Sequence, residues 1–246
     1  MTFYDHSIQA KTLHLCYRTR IIKKLSDRRA GAGCDQIITI EDSLSKGVDG
    51  KIKIFNANGD QAEACGNGTR CVASIFFKEL NKKKIILESV AGKLRASLKK
   101  DGNVSVNMGS VKENWIDIPL FQKMDNTDIP IKIKNFSKGF ALNIGNPHIV
   151  FFGKNIKNLD LKYIGPKIEN HIFFPKKINV EFVEIINNKL IKMRVWERGV
   201  GETLACGSGA CASFYAGFKK KLLNNSCEVI LKKGSLFINI MNREII

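Results

Sequence analysis

The chain has 246 residues, 44% of them hydrophobic and 26% charged, which suffices for one large or two small soluble domains and leaves no apolar run long enough to span a bilayer. Its formal charge of +17 raises the question of a polyanionic partner, but the lysines fall in small scattered groups without interleaved aromatics, so the expectation is a solvated basic surface and no nucleic-acid or membrane partner. Seven cysteines, an odd number with neither a disulfide framework nor any C-x-x-C, point to reduced thiols and no metal.

In chain order, the N-terminal MTFYDHSIQAKTLHLC carries Asp5 and other polar residues where a signal peptide would be apolar, so a cytoplasmic location is expected. KIFNANGD (53–60) reads as a strand ending in Asn56 and a glycine-bearing loop, followed by ACGNGTRC (64–71) and the helical apolar spacing of VASIFFKEL. KIILESVAGKLRASL (84–98) is a hairpin bent at Gly92, and an Asp101-Gly102 turn leads to one more strand, VSVNMG (104–109).

The same order returns in the second half. RVWERGVGETLACGSG (194–209) lies over residues 53–68 without a gap, placing Glu197 over Asn56 and Cys206 over Cys65. A helix-spaced ASFYAGFKKKLL and a hairpin bent at Gly234 follow. Two gaps mark the repeat: the second half stops at Ile246, where the counterpart of the strand beginning at Val104 should start, and whatever matches Gly145-Asn146 would lie before Met1. The expected fold is α/β, with two similar lobes (1–110 carrying Cys65, 111–246 carrying Cys206), each a curved, mainly antiparallel sheet or barrel around the helix that follows its cysteine.

A cysteine at a helix N-terminus, followed by Gly-x-Gly, is a thiol beside an anion cradle, and the helix dipole is expected to lower its pKa toward neutrality. Two such units aimed at one cleft could invert a stereocentre, one thiolate removing the α-proton of an amino acid while the opposite thiol returns one. No phosphate-binding loop or Schiff-base lysine is evident, so no cofactor is expected. A Cys-His hydrolase built on His148 would need only one of the two cysteines. Cys16, Cys34, Cys71, Cys211 and Cys227 are expected to be small hydrophobes, and His6, His14 and His171 incidental.

ACGNGTRC, GNPH (145–148) and ERGVGETLACGSGACA, with DRRAGAGCDQ (27–36) upstream, resemble the diaminopimelate epimerases over nearly the whole chain. The resemblance implies a cofactor-independent epimerase that converts LL- to meso-diaminopimelate, with Cys65 and Cys206 as the acid/base pair. It implies substrate binding by Gln36, Asn56, Gly66, Asn67, Asn146, Asn179, Glu197, Arg198, Gly207 and Ser208, tuning of the thiols by His148 and Glu197, and a homodimer. The family's opening Gly-Asn-Asp-Phe segment and closing Gly-Pro strand fall outside residues 1–246, at the two gaps of the repeat. That leaves open a longer gene product, a weakly active or non-catalytic homologue, or a proline racemase-like isomerase of another amino acid.

Overall fold

The computed structural model describes residues 19–62 and 65–246, so Cys16, His6 and His14 lie outside the described residues. After a short helix α1 (Thr19–Ser26), the first sheet is built from β1 (Gln36–Glu41), β2 (Gly50–Asn56), β3 (Gln61–Ala62), β4 (Lys84–Ser89), β5 (Gly92–Leu98) and β6 (Val104–Asn107). Its order is β1-β2-β4-β5-β6, with β3 on β2, and its one parallel step, β2 to β4, is bridged by α2 (Gly66–Glu79). Alternation in GKIKIFN turns Ile52 and Ile54 inward. Val72, Ala73, Phe76 and Phe77 form the matching stripe of α2, and both sets close on Ile85, Leu87, Leu94 and Val106.

The second sheet contains β7 (Gly109–Ser110), β8 (Phe140–Asn143), β9 (Pro147–Phe152), β10 (Asn179–Asn187), β11 (Leu190–Glu197), β12 (Gly201–Glu202), β13 (Ser226–Leu231), β14 (Gly234–Met241) and β15 (Glu244–Ile245). Its order is β7-β15-β14-β13-β11-β10-β9-β8, with β12 on β11. Helix α4 (Gly207–Lys219) touches β8, β9, β10, β11, β13 and β14, so the sheet wraps around it. The opposite face packs on α3 (Leu161–Glu169) and on Ile118, Leu120 and Ile129 of the long connection before β8. Residues of β9 and β10 divide between these faces by the two-residue period of a strand: Ile149, Phe151, Val180 and Phe182 face α3, while Val150, Phe152 and Val183 face α4.

The repeat is visible in the pairing. β3 returns on β2 and β12 on β11, β2 runs parallel to β4 and β11 to β13, and both hairpins turn where Gly92 and Gly234 take positive φ, +114° and +147°. The expected lack of a last strand in the second half is corrected. Asn242 and Arg243 form a two-residue turn with φ of 52° and 65°, and β15 then returns along β14 and pairs with β7. Side chains with positive φ at both turn positions match the right-handed strand twist, which lets so short a return form. The Met108 N–H also donates to the Ile245 carbonyl at 2.8 Å, so the exit of the first half is stitched to the end of the second.

Four thiols whose pKa values rise on folding, Cys65, Cys206, Cys211 and Cys227, make stability depend on alkaline pH. Burial pushes Cys211 up to about 12 and also raises Cys65 and Cys206 above the ordinary thiol value. A folded-state pKa above the unfolded one contributes stability that is complete below the unfolded value, about 8.5, and is lost as pH rises through the folded value. In reducing buffer the Tm should therefore hold between about pH 7 and 8 and fall above about pH 9, more shallowly in Cys211→Ala. A wild-type Tm that stays level to about pH 10.5 would contradict this.

Candidate active site

Cys65 and Cys206 occupy the same place in their lobes. Each is the N-cap of its helix in extended backbone conformation, with φ and ψ of −149° and 98° for Cys65 and −135° and 114° for Cys206. Each Sγ accepts a hydrogen bond from the third residue of the helix, from the Gly68 N–H at 3.2 Å and from the Gly209 N–H at 3.3 Å. A thiol thus takes the part that a serine or aspartate oxygen usually plays at a helix start.

The two helix ends meet. A Cβ placed on Gly207 would lie 3.2 Å from the Gly66 Cα, and one placed on Gly66 would lie 3.5 Å from the Gly207 Cα. Asn67 spans the junction, its Nδ2 3.4 Å from the Ala205 carbonyl while its Oδ1 accepts from Arg70 at 2.6 Å. Two positive helix ends and their unpaired N–H groups converge on one small region, which suits a carboxylate between them. All six cysteines among the described residues are free, Cys65 and Cys206 included.

The α4 face of the second sheet supplies the polar side chains. His148 from β9 is buried, with Nδ1 2.7 Å from Glu181 Oε1 and Nε2 2.8 Å from Asn146 Oδ1. Glu197 ends β11 and accepts a short hydrogen bond from the Thr203 hydroxyl. Ser208 is buried with its Oγ 3.5 Å from Cys206 Sγ. Asn179, at the start of β10, donates to the Pro147 carbonyl at 2.8 Å and accepts from the Arg198 N–H at 2.9 Å, so it ties the Gly-Asn-Pro-His turn to the Glu-Arg-Gly turn. Arg198 extends to the Lys176 carbonyl, 3.3 Å away. In the first lobe, Gln36 and Asn56 face each other across β1 and β2 and share a 2.9 Å hydrogen bond.

Glu181 and Thr203 were not among the residues singled out from the sequence. The signal for Glu181 was present, a carboxylate inside the apolar strand run NVEFVEII. Among the described residues no group of three or more His, Cys, Asp or Glu side chains is placed to hold a metal.

The expected lowering of the two thiol pKa values is corrected. Burial dominates at Cys65 and raises its pKa; the Gly68 N–H pulls it down and Glu197 pushes it up. Cys206 is raised well above the ordinary thiol value, first by burial and then by the carboxylates of Glu197 and Glu181, against the weaker pull of Ser208 and the Gly209 N–H. Burial likewise raises Glu197, opposed by Thr203 and His148. Helix ends favour a thiolate, but removal from water and the nearby carboxylates, Glu197 at both thiols and Glu181 at Cys206, outweigh them.

Residues 6–113 and 140–245 match the family model described as diaminopimelate epimerase. The chain is 44% identical to the diaminopimelate epimerase of Pelagibacter ubique over 227 residues, 90% of this chain and 82% of that protein. It is 42% identical to the diaminopimelate epimerase of Sphingopyxis alaskensis over 214 residues, 87% of this chain and 77% of that one. The chain belongs to the diaminopimelate epimerase family. It is accordingly an enzyme, an isomerase with a two-lobed α/β fold. The fold is shared more widely within 12 to 15% identity: a hydroxyproline epimerase from Agrobacterium vitis superposes with a TM-score of 0.66 over 92% of this chain and 75% of that chain at 12% identity. A phenazine biosynthesis protein of the PhzF family from Bacillus anthracis does so with a TM-score of 0.60 over 92% of this chain and 83% of that chain at 15% identity.

Gly209 tests how tightly this family member packs behind Cys206. A Cβ there would lie 2.8 Å from Glu181 Oε1 and 3.3 Å from Cys206 Sγ. Glycine to alanine within a helix ordinarily gains up to about 1 kcal/mol, whereas overpacking costs about 1 to 3 kcal/mol. Gly209→Ala should therefore lower the Tm and slow turnover; an unchanged or higher Tm would show that the carboxylate and thiol have room to spare.

Proposed function

We propose that this protein inverts one α-carbon of LL-2,6-diaminopimelate, giving the meso isomer, by a two-base mechanism without a cofactor. The observation that carries this reading is the pair of cysteine-capped helices whose glycine ends touch between two halves of one repeated fold. A substrate whose α-carboxylate sits against the N–H groups of Gly66, Asn67, Gly207 and Ser208 would present its α-carbon between the two thiols. One cysteine, as thiolate, takes the α-proton and becomes a thiol. The helix ends stabilise the charge that moves onto the carboxylate, and the opposite thiol gives its proton to the other face, becoming the thiolate. The enzyme is left with the roles of Cys65 and Cys206 exchanged, ready for the reverse direction.

In this reading Gln36, Asn56, Asn146, Asn179, Glu197 and Arg198 bind the two amino-acid ends of the substrate, and His148 and Glu197 tune the thiols. The lobes 1–110 and 111–246 close over the substrate, which expels water and strengthens each of these contacts. We further propose a homodimer acting in the cytoplasm; no helix among the described residues is long and apolar enough to cross a membrane.

Incubation with LL-diaminopimelate in deuterium oxide should give the meso isomer carrying deuterium at the inverted carbon, because the donating thiol exchanges with solvent. Reduced, folded protein that yields neither product nor α-deuterium overturns the assignment, and inversion of proline or hydroxyproline in its place would move it to another substrate. Cys65→Ser and Cys206→Ser should each lower kcat by at least about a hundredfold, since each removes one of the two proton-transfer groups. A single variant with near-normal kcat would remove that cysteine from the mechanism.

A further inference from the structure

Glu181 has no part in the two-thiol scheme, yet it is fully buried in the middle of a strand whose neighbours are apolar. Its Oε1 meets His148 Nδ1 at 2.7 Å, and its Oε2 has no hydrogen-bond partner. A buried, half-satisfied carboxylate is costly and needs a reason. It lies against the first turn of α4, where only the missing side chain of Gly209 leaves space for it beside Cys206.

The repeat shows that the position is asymmetric. Glu181 pairs with Val195 of β11, and the repeat counterpart of Val195 is Ile54, which pairs with Ile38 of β1. One lobe thus has a carboxylate where the other has an isoleucine that packs into the core of the first sheet. The groups acting on Cys206 are Glu197 from β11, Glu181 from β10 and the Ser208 hydroxyl and Gly209 N–H of its own helix, with His148 from β9 reaching Glu181 and Glu197 behind them. Cys65 shares the influence of Glu197 but not that of Glu181.

Resting on the epimerase reading above, we infer that Glu181 is a positioning residue: lying between the His148 ring and the first turn of α4, it clamps the imidazole and holds Cys206 as the proton-donating thiol, leaving Cys65 as the base. With Nδ1 held by Glu181 and Nε2 by Asn146, the imidazole can neither rotate nor exchange partners. The Glu181 carboxyl lies behind only one of the two thiols and adds to the deeper burial that already sets Cys206 apart from the half-buried Cys65. A two-base enzyme needs one thiolate and one thiol at once, and this arrangement supplies the difference.

The test is the pH dependence of kcat/KM in wild type, Glu181→Gln and Glu181→Leu, the last giving the second lobe an apolar residue like that of the first. If Cys206 is the retained thiol, the basic limb reports its ionisation and the acidic limb that of Cys65. Removing the charge of Glu181 eases Cys206 ionisation, so in both variants the basic limb should move to lower pH while the acidic limb stays. kcat should fall about ten- to a hundredfold, as when an imidazole loses its orienting partner, with KM changed less than about threefold. In combination with His148→Gln, Glu181→Gln should add little further loss, because it acts through that ring. A basic limb that does not move, an acidic limb that moves in its place, or fully additive losses would overturn the role of Glu181. Thermal melts identify a variant that misfolds, and the other variant then decides. Wild-type protein inactive on diaminopimelate would overturn the epimerase reading and this inference together, whereas active wild type with unmoved limbs overturns this inference alone.

Discussion

Two helix N-termini pressed against each other through glycine are the constraint on which this molecule is organised. Like partial charges repel, and each end exposes N–H groups that need partners. Contact at Gly66 and Gly207 is tolerable because the caps are polarizable thiols that accept from Gly68 and Gly209, and because Asn67 reaches across to the Ala205 carbonyl. The surplus positive potential suits an anion placed between the lobes. Everything else in the fold serves to hold the two ends there: a sheet against each helix, and β7 paired with β15 to fix one half on the other.

Opposing electrostatic influences meet at the thiols. Burial and the carboxylates of Glu197 and Glu181 keep Cys206 protonated, with the N–H groups of its helix pulling the other way. Neither influence acts alone, so the thiol stands between two large opposing effects and responds to whatever enters the cleft. Leaving a buried polar group without its hydrogen-bond partner costs about 1 to 3 kcal/mol, so the His148 and Glu181 contact also holds β9 to β10 at the site.

Much of the architecture was legible in the sequence because the fold is duplicated. The ungapped match of 53–68 with 194–209 located both cysteines and the strand ends, Asn56 and Glu197, on which polar groups stand, and the looser correspondence downstream located the two hairpin glycines. A repeat is read from spacing alone, and spacing survives folding. Illegible were the consequences of packing. The thiol pKa values rise where a helix end by itself lowers them, since only the folded chain reveals how far Cys206 is from water. The terminal strand was missed because Asn242 and Arg243 adopt a turn usually built on glycine. Glu181 stood in plain view, but its partner His148 is 33 residues away and adjacent only through a parallel strand pair.

By itself, then, the sequence determined the doubled unit, the two cysteines that cap its helices and the α/β class, because local periodicity and helix-end chemistry depend on neighbours a few residues apart. Only the tertiary structure decided that the two helix ends touch, that Cys206 is buried and Cys65 half-buried with both thiol pKa values raised, and that one thiol has a carboxylate behind it where the other has Ile38. Those properties arise from desolvation and from charges brought together across strands, and both are set by distances in space that residue spacing along the chain does not encode.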